Sequence, residues 1–396
     1  MSSKYTTYLL GAGASAEVIP IYSFRNNNQN NNKTFSEDII LQLEEFSKSC
    51  RSYGNDGIRK KHRENNVKAN PEIKELTQLY ENLNLDIKWL KNELPKHKTI
   101  DTLAKRFTLL NEDQSLNKLK ALISLYFLCK QIPDNYDKRY DSFYASILEK
   151  NESNNLSKIN SKVKLPETIK IISWNYDYQF EIAFNNYCGY TGSEKRNLVS
   201  LQNDLKIFPS INLNNNKIDF SENVNIVKLN GTAAYFTDNE ENIQPFAENI
   251  SANNMDIDNI FKNLNNYKIA SSSKKSNQVF NFAWDNNFIT QHALKLAGNI
   301  LSNTETLIIV GYSFPYFNRE IDEKLFDSID KSGIRKIIIQ DKSPESIKQN
   351  ILSRTKKLDS FLNNEKSNYI TEYVDQFILP GDFRKNEPYS IKARVI

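Results

Sequence analysis

Cysteine is scarce in this chain. Among 396 residues there are three, Cys50, Cys129 and Cys188, and none belongs to a C-x-x-C pair. No zinc ribbon and no disulfide framework can be read from that spacing. Histidine is as scarce. His62, His97 and His292 stand in polar or helical contexts without metal-ligand spacing, so each reads as a surface or boundary residue and no metal is expected. Excess charge is also missing. The 52 basic residues face 48 acidic ones, a net +4, whereas a dedicated nucleic-acid binder shows a much stronger basic bias. No apolar run approaches the ~18 residues of a membrane span, and the opening residues carry no charged-then-apolar leader. The expectation is a soluble protein in a reducing, cytoplasmic setting, with no direct nucleic-acid contact and no membrane.

What is present is enough apolar material for a sizeable core: 39% of residues are hydrophobic and 11% aromatic. The chain is organised around Tyr5–Arg25. There Tyr8-Leu9-Leu10 drops into Gly11-Ala12-Gly13-Ala14-Ser15. That is a buried strand breaking into a tight turn, with a helix able to start at Ala14 or Ser15. Gly11, Gly13 and Ala16 fit G-x-G-x-x-G/A, in which glycine lets a phosphate approach the backbone and helix N–H groups face the anion. The pattern fits a plain strand-turn-helix corner as well. An ordinary dinucleotide fold would place a ribose-binding acid roughly 20 residues on. Here the chain runs through Ile19-Pro20 and Phe24-Arg25 into the asparagine tract 26–32 instead. The usual dehydrogenase layout is disfavoured.

Beyond the tract, residues 36–150 carry helical periodicity: Ile39, Leu43 and Phe46; Ile73, Leu76, Leu83, Ile87 and Leu90; then Leu116 to Cys129. The polar stretch 50–70 reads as a loop. From Thr168 onward, short apolar runs alternate with helical patterns. The runs are 168–173, 224–229, 306–310 and 335–339. Residues 237–280 are polar and poorly periodic, hence a loop or lid, and 369–379 fit either a last strand or a docking helix. The alternation predicts an α/β fold: a Rossmann-like parallel sheet with helices on both faces. Its helical insertion covers about 36–165, and a small C-terminal extension about 345–396.

Five runs end in polar or glycine clusters: Gly11–Ser15, Asn175–Asp177, Asn230–Thr232, Gly311–Ser313 and Gln340-Asp341. In an open parallel sheet such ends line the edge where ligands bind. Each cluster has a plain reading too. Asp177 and Asp341 suit helix caps, Asn230-Gly231 is a common turn pair, and Ser313 suits a cap. Asn175 offers donor and acceptor together, suited to a ribose hydroxyl or an attacking water. Trp174 and Tyr176 read as packing.

Taken together, the segments Gly11–Ser15, Ile19-Pro20, Phe24-Arg25, Trp174-Asn175-Tyr176-Asp177, Lys228-Leu229-x-Gly231-Thr232 and Gly311-Tyr312-Ser313 resemble the sirtuin-like NAD-binding domain. More narrowly they are similar to the bacterial anti-phage NADase branch. That branch is found in Thoeris-type effectors and in sirtuin-like subunits paired with a hexameric translocase ATPase. The resemblance implies one domain over 1–396, NAD⁺ as substrate and cleavage of the nicotinamide–ribose bond. It also implies self-association, with such an ATPase as partner in one branch. Gly11, Ala12, Gly13 and Ser15 would cradle the pyrophosphate. Pro20, Phe24 and Arg25 would cover the nicotinamide ribose. Asn175 would orient sugar or water, and Asp177, Gly311, Ser313 and Asp341 would complete the dinucleotide contacts. The chain is unlike the protein deacylases, whose zinc site needs four cysteines. It departs from the branch at Asn230, where a histidine base is usual. An amide has no useful basicity, so the expectation is an attenuated or silent enzyme.

Overall fold

The Val- and Ile-rich runs form strands because β-branched side chains fit a pleated sheet buried on both faces. The computed structural model describes residues 4–21, 34–65, 71–131, 135–150, 163–188, 197–212, 215–233, 235–238, 242–246, 257–272, 279–364 and 367–379. At its centre is a seven-stranded sheet in which every neighbouring pair is parallel. The strands are β1 (Tyr5–Leu10), β2 (Ile169–Ser173), β3 (Ile207–Phe208), β4 (Ile226–Lys228), β5 (Thr304–Val310), β6 (Lys336–Gln340) and β7 (Asn368–Thr371). Their spatial order is β7-β6-β5-β1-β2-β4-β3. This is the expected Rossmann-like arrangement, with β1 in the middle.

The register lines up as rows across the sheet. Tyr369, Ile338, Ile308, Tyr8, Ile171, Ile226 and Ile207 form one row and face the first core. The next row, Ile370, Ile339, Ile309, Leu9, Ile172, Val227 and Phe208, faces the second core on the opposite side. One residue further on, the row turns partly polar. Gln340, Ser173 and Lys228 are buried beside Leu10 and Val310. Chemistry begins where that row ends.

Helices cover both faces. The first core takes side chains from α1 (Phe35–Asn65), α2 (Pro71–Glu93), α3 (Ile100–Leu109), α4 (Asp113–Gln131), α5 (Lys138–Ile147), α6 (Gln179–Asn185), α7 (Leu198–Asp204) and α8 (Ile257–Ser272). Leu83, Leu122, Tyr8 and Ile171 share that one cluster. The inserted helices therefore pack directly on the sheet. The second core takes α9 (Phe288–Ser302), α10 (Arg319–Asp327), α11 (Pro344–Arg354) and α12 (Asp359–Leu362).

Two local expectations change and one open choice is decided. The polar stretch after Cys50 is helical to Asn65; its Arg, Lys and Glu residues are good helix formers. Within 237–280, α8 buries Ile260, Leu264 and Tyr267, an i, i+4, i+7 stripe masked in sequence by the asparagines around it. After β7, which is a strand rather than a docking helix, residues 373–379 turn back under the sheet. There the Gln340 side chain donates to the carbonyls of Tyr373 (2.9 Å) and Gln376 (2.5 Å) and accepts from Ile378 N (3.2 Å). Among the described residues, no helix is long and apolar enough to cross a membrane.

Candidate functional site

The chain leaves β1 toward β2 on one side and leaves β5 toward β6 on the other. That divergence makes the carboxyl ends of β1 and β5 the switch point, the place at which open α/β sheets bind ligands. The ladder continues into it. Gly11 N donates to Val310 O (3.1 Å), Gly13 N to Gly311 O (2.9 Å), Gly311 N to Gln340 O (3.1 Å) and Trp174 N to Leu10 O (2.9 Å).

The glycines meet one another there. A Cβ on Gly13 would lie 2.7 Å from Gly311 Cα, and one on Gly311, at φ +59°, would lie 2.5 Å from Gly13 C. The two turns pack backbone on backbone, so these glycines are required by loop contact irrespective of any phosphate. The helix expected from Ala14 or Ser15 is a single 3-10 turn, Ala12–Ser15. It is too short to sum a macrodipole, because Ile19-Pro20 follows at once and proline cannot extend a helix.

Ser15 and Asp177 are buried and face each other. The Ser15 hydroxyl donates to Asp177 Oδ2 (2.8 Å) and meets the Tyr140 hydroxyl (3.1 Å). Asp177 Oδ1 accepts from Gln179 N (3.1 Å), a turn contact just before α6, whose N-cap is Tyr178. Burial raises the Asp177 carboxyl to about 6, against the pull of Lys228, Gln179 N and Ser15. Beneath it, Lys228 Nζ donates to Asp177 O (2.7 Å) and to Glu181 Oε1 (2.6 Å). Both side chains are closed to solvent, at 1% and 0% exposure. Gln202 donates to the same Glu181 oxygen (2.6 Å) and accepts from the Tyr235 hydroxyl.

Asn175 and Asn230 are half-buried just past the ends of β2 and β4. Asn175 Nδ2 donates to Gly11 O (2.9 Å). Asn230 Nδ2 reaches Trp174 O at 3.4 Å, a long contact, and its backbone O accepts from Asn281 N (2.7 Å). Gly231 has φ +74°, and a Cβ there would lie 2.1 Å from Val279 O. Trp174 stacks on Tyr312 at 5.6 Å, and its buried Nε1 has no hydrogen-bond partner among the described residues. Tyr176 stacks on Phe280 at 4.9 Å.

Across the switch point, Tyr312 is buried and donates to Asp322 Oδ1 (2.8 Å). Arg354 holds the other Asp322 oxygen (3.3 Å) and the Phe314 carbonyl (2.5 Å). This pins the loop that presents the exposed Ser313. Asp341 is half-buried, and its Oδ1 accepts from Ser343 N (2.9 Å) in the turn before α11. Ala12 is exposed, and Pro20 is half-buried where the turn runs out. Phe24 and Arg25 lie outside the described residues. Among the described residues no group of His, Cys, Asp and Glu is arranged to hold a metal ion.

The structure thus brings Gly11, Ala12, Gly13, Asn175, Asn230, Gly311, Ser313 and Asp341 to one edge of the sheet, and sets Ser15 and Asp177 beneath it. His292 is half-buried in α9. Its ring lies against Phe208 (5.0 Å) and Phe220 (5.1 Å), and burial lowers its pKa.

Four supporting residues were not legible in the sequence. Asp137 and Arg139 open α5 and reach the glycine turn. Asp322 is the buried acid among the four of α10. Asp101 sits half-buried in the first turn of α3, with its carboxyl lifted to about 6 by burial and its charge felt by the Tyr176 phenol. The three acids offer only the signal of an acid near a helix start, and Arg139 offers none. In comparisons with known proteins, the chain matches no family model, no curated protein and no solved structure.

Proposed function

We propose that this chain is an NAD⁺ glycohydrolase of low turnover whose dinucleotide lies along the carboxyl edge of the sheet. The observation that supports it most is the convergence of three strand ends. The Asn175 amide lies on Gly11 O at 2.9 Å, and Asn230 lies beside the backbone of Trp174 at 3.4 Å. Two amides from successive strand ends therefore lie on one side of the glycine turn, Asn175 against it and Asn230 one strand further out. On this reading Asn175 orients the reacting ribose or water, and Gly11 to Gly13 face the pyrophosphate. Ser313 and Asp341 lie toward the adenosine half. Cleavage leaves an oxocarbenium-like C1′, and position 230 is where a base would accept the proton. In the cell the activity would deplete NAD⁺ as an anti-phage effector, in a homo-oligomer or beside a translocase ATPase.

The asparagine at 230 favours a second reading: a module that binds NAD⁺ or an ADP-ribose derivative without turnover and regulates a partner. One experiment separates them. The unaltered chain and Asn230→His are incubated with NAD⁺ and free nicotinamide is measured. The expected result is slow release that rises by ~10²–10⁴ in the variant, the usual contribution of a general base. Uptake of NAD⁺ by calorimetry with no release from either protein selects the binding module. No uptake at all discards both.

A further inference from the structure

Arg139 stands where no part of the proposed reaction requires a cation. It is 7% exposed and its partner Asp137 is fully buried. The guanidinium makes five hydrogen bonds. Nη2 donates to Gly13 O (3.0 Å), to Ala14 O (3.1 Å) and to Asp137 Oδ2 (2.5 Å). Nε donates to Asp137 Oδ1 (2.9 Å), and Nη1 donates to Val374 O (3.0 Å). Asp137 Oδ2 in turn accepts from Glu17 N (3.2 Å). The ion pair therefore grips one chain reversal by both polarities, its cation on the carbonyls of residues 13 and 14 and its anion on the amide of residue 17. A cation belongs at the carbonyl end of a helical turn, where it supplements the peptide dipoles. Here the turn is a single 3-10 loop with no following helix to fix it, and an inserted helix supplies the fixing charge instead. A planar fork suits this task, since a lysine can satisfy one direction but not three.

We infer that Arg139 is a positioning residue for the ligand site: through Gly13 and Ala14 it fixes the turn against which a pyrophosphate is held. The inference rests on the proposed dinucleotide site. The inserted helices are then a part of that site and not only a cover for the sheet.

The test compares a pyrophosphate ligand with one that lacks it. Binding of ADP-ribose and of adenosine is measured by calorimetry or competition for the unaltered chain, Arg139→Lys and Arg139→Met, with Asp137→Asn as a milder variant that retains a capping residue for α5. Melting curves report folding. The expected result is ADP-ribose affinity reduced ~10–100-fold in both Arg139 variants, the range of lost charge-assisted hydrogen bonds. Asp137→Asn should fall between, and adenosine should stay within about twofold. If the two ligands weaken together, or neither weakens, Arg139 is a structural tie only and the inference is overturned. If the unaltered chain takes up no ADP-ribose, the proposed site itself is wrong and both readings fall.

Discussion

Gly311 shows how little freedom single positions have at this edge. It combines φ +59° with a backbone neighbour 2.5 Å from where a Cβ would sit. A side chain there meets both a left-handed conformation and a clash with Gly13 that only backbone movement relieves. Gly311→Ala is expected to destabilise the fold by roughly 2–5 kcal/mol, summing the left-handed penalty and overpacking. Thermal melting checks it, with Gly333→Ala, in a looser surface turn, as the control. Equal melting points for the two variants would refute the close loop contact. These glycines were legible in the sequence as a fingerprint, but their cause was not. The contact joins positions about three hundred residues apart, which no local pattern encodes. The same holds for Arg139, whose reach to Gly13 spans 126 positions.

At the scale of elements, the strands were legible because continuous Ile and Val runs have few other uses, and the edge where they end followed from parallel topology. The two-residue strand β3 (Ile207–Phe208) was not, being too short to show a period. Helices were legible where an apolar stripe ran on a polar ground and misread where asparagine diluted it, as in α8. The start of α9 links element to site. Asn287 caps the helix by accepting from Thr290 N (3.1 Å), and its Nδ2 donates to Asn281 Oδ1 (2.6 Å), whose N–H holds Asn230 O. Asn287→Ala should lose about 1 kcal/mol of stability as a lost cap. Asn287→Asp retains the cap acceptor but removes the donor. It should melt closer to the unaltered chain while still weakening NAD⁺ uptake. Two variants with the same binding loss per degree of melting would break the link drawn from α9 to Asn230.

For the whole molecule, buried acids set the response to pH. Burial lifts Asp322 from 3.8 to about 7 and Asp177 from 3.8 to about 6. The unfolded chain releases those protons near the ordinary aspartate value, whereas the folded chain keeps them longer. Between about pH 4 and 7 the folded state therefore binds more protons, and stability falls as pH rises. The melting temperature should be higher at pH 5 than at pH 7.5, and Asp322→Asn should flatten the slope. A rise in melting temperature over that interval, or an unchanged slope in the variant, would contradict this assignment. The central place of β1 carries a consequence for biosynthesis. Its first neighbour arrives with residue 169, and Thr7 meets Thr304 across 297 positions. At ribosomal speeds of roughly 5–20 residues per second, that second partner emerges roughly 15–60 s after the first strand. Over the first part of that interval β1 has neither neighbour and over the rest only β2, and chaperone occupancy until β5 is made would govern how much folded protein a cell obtains.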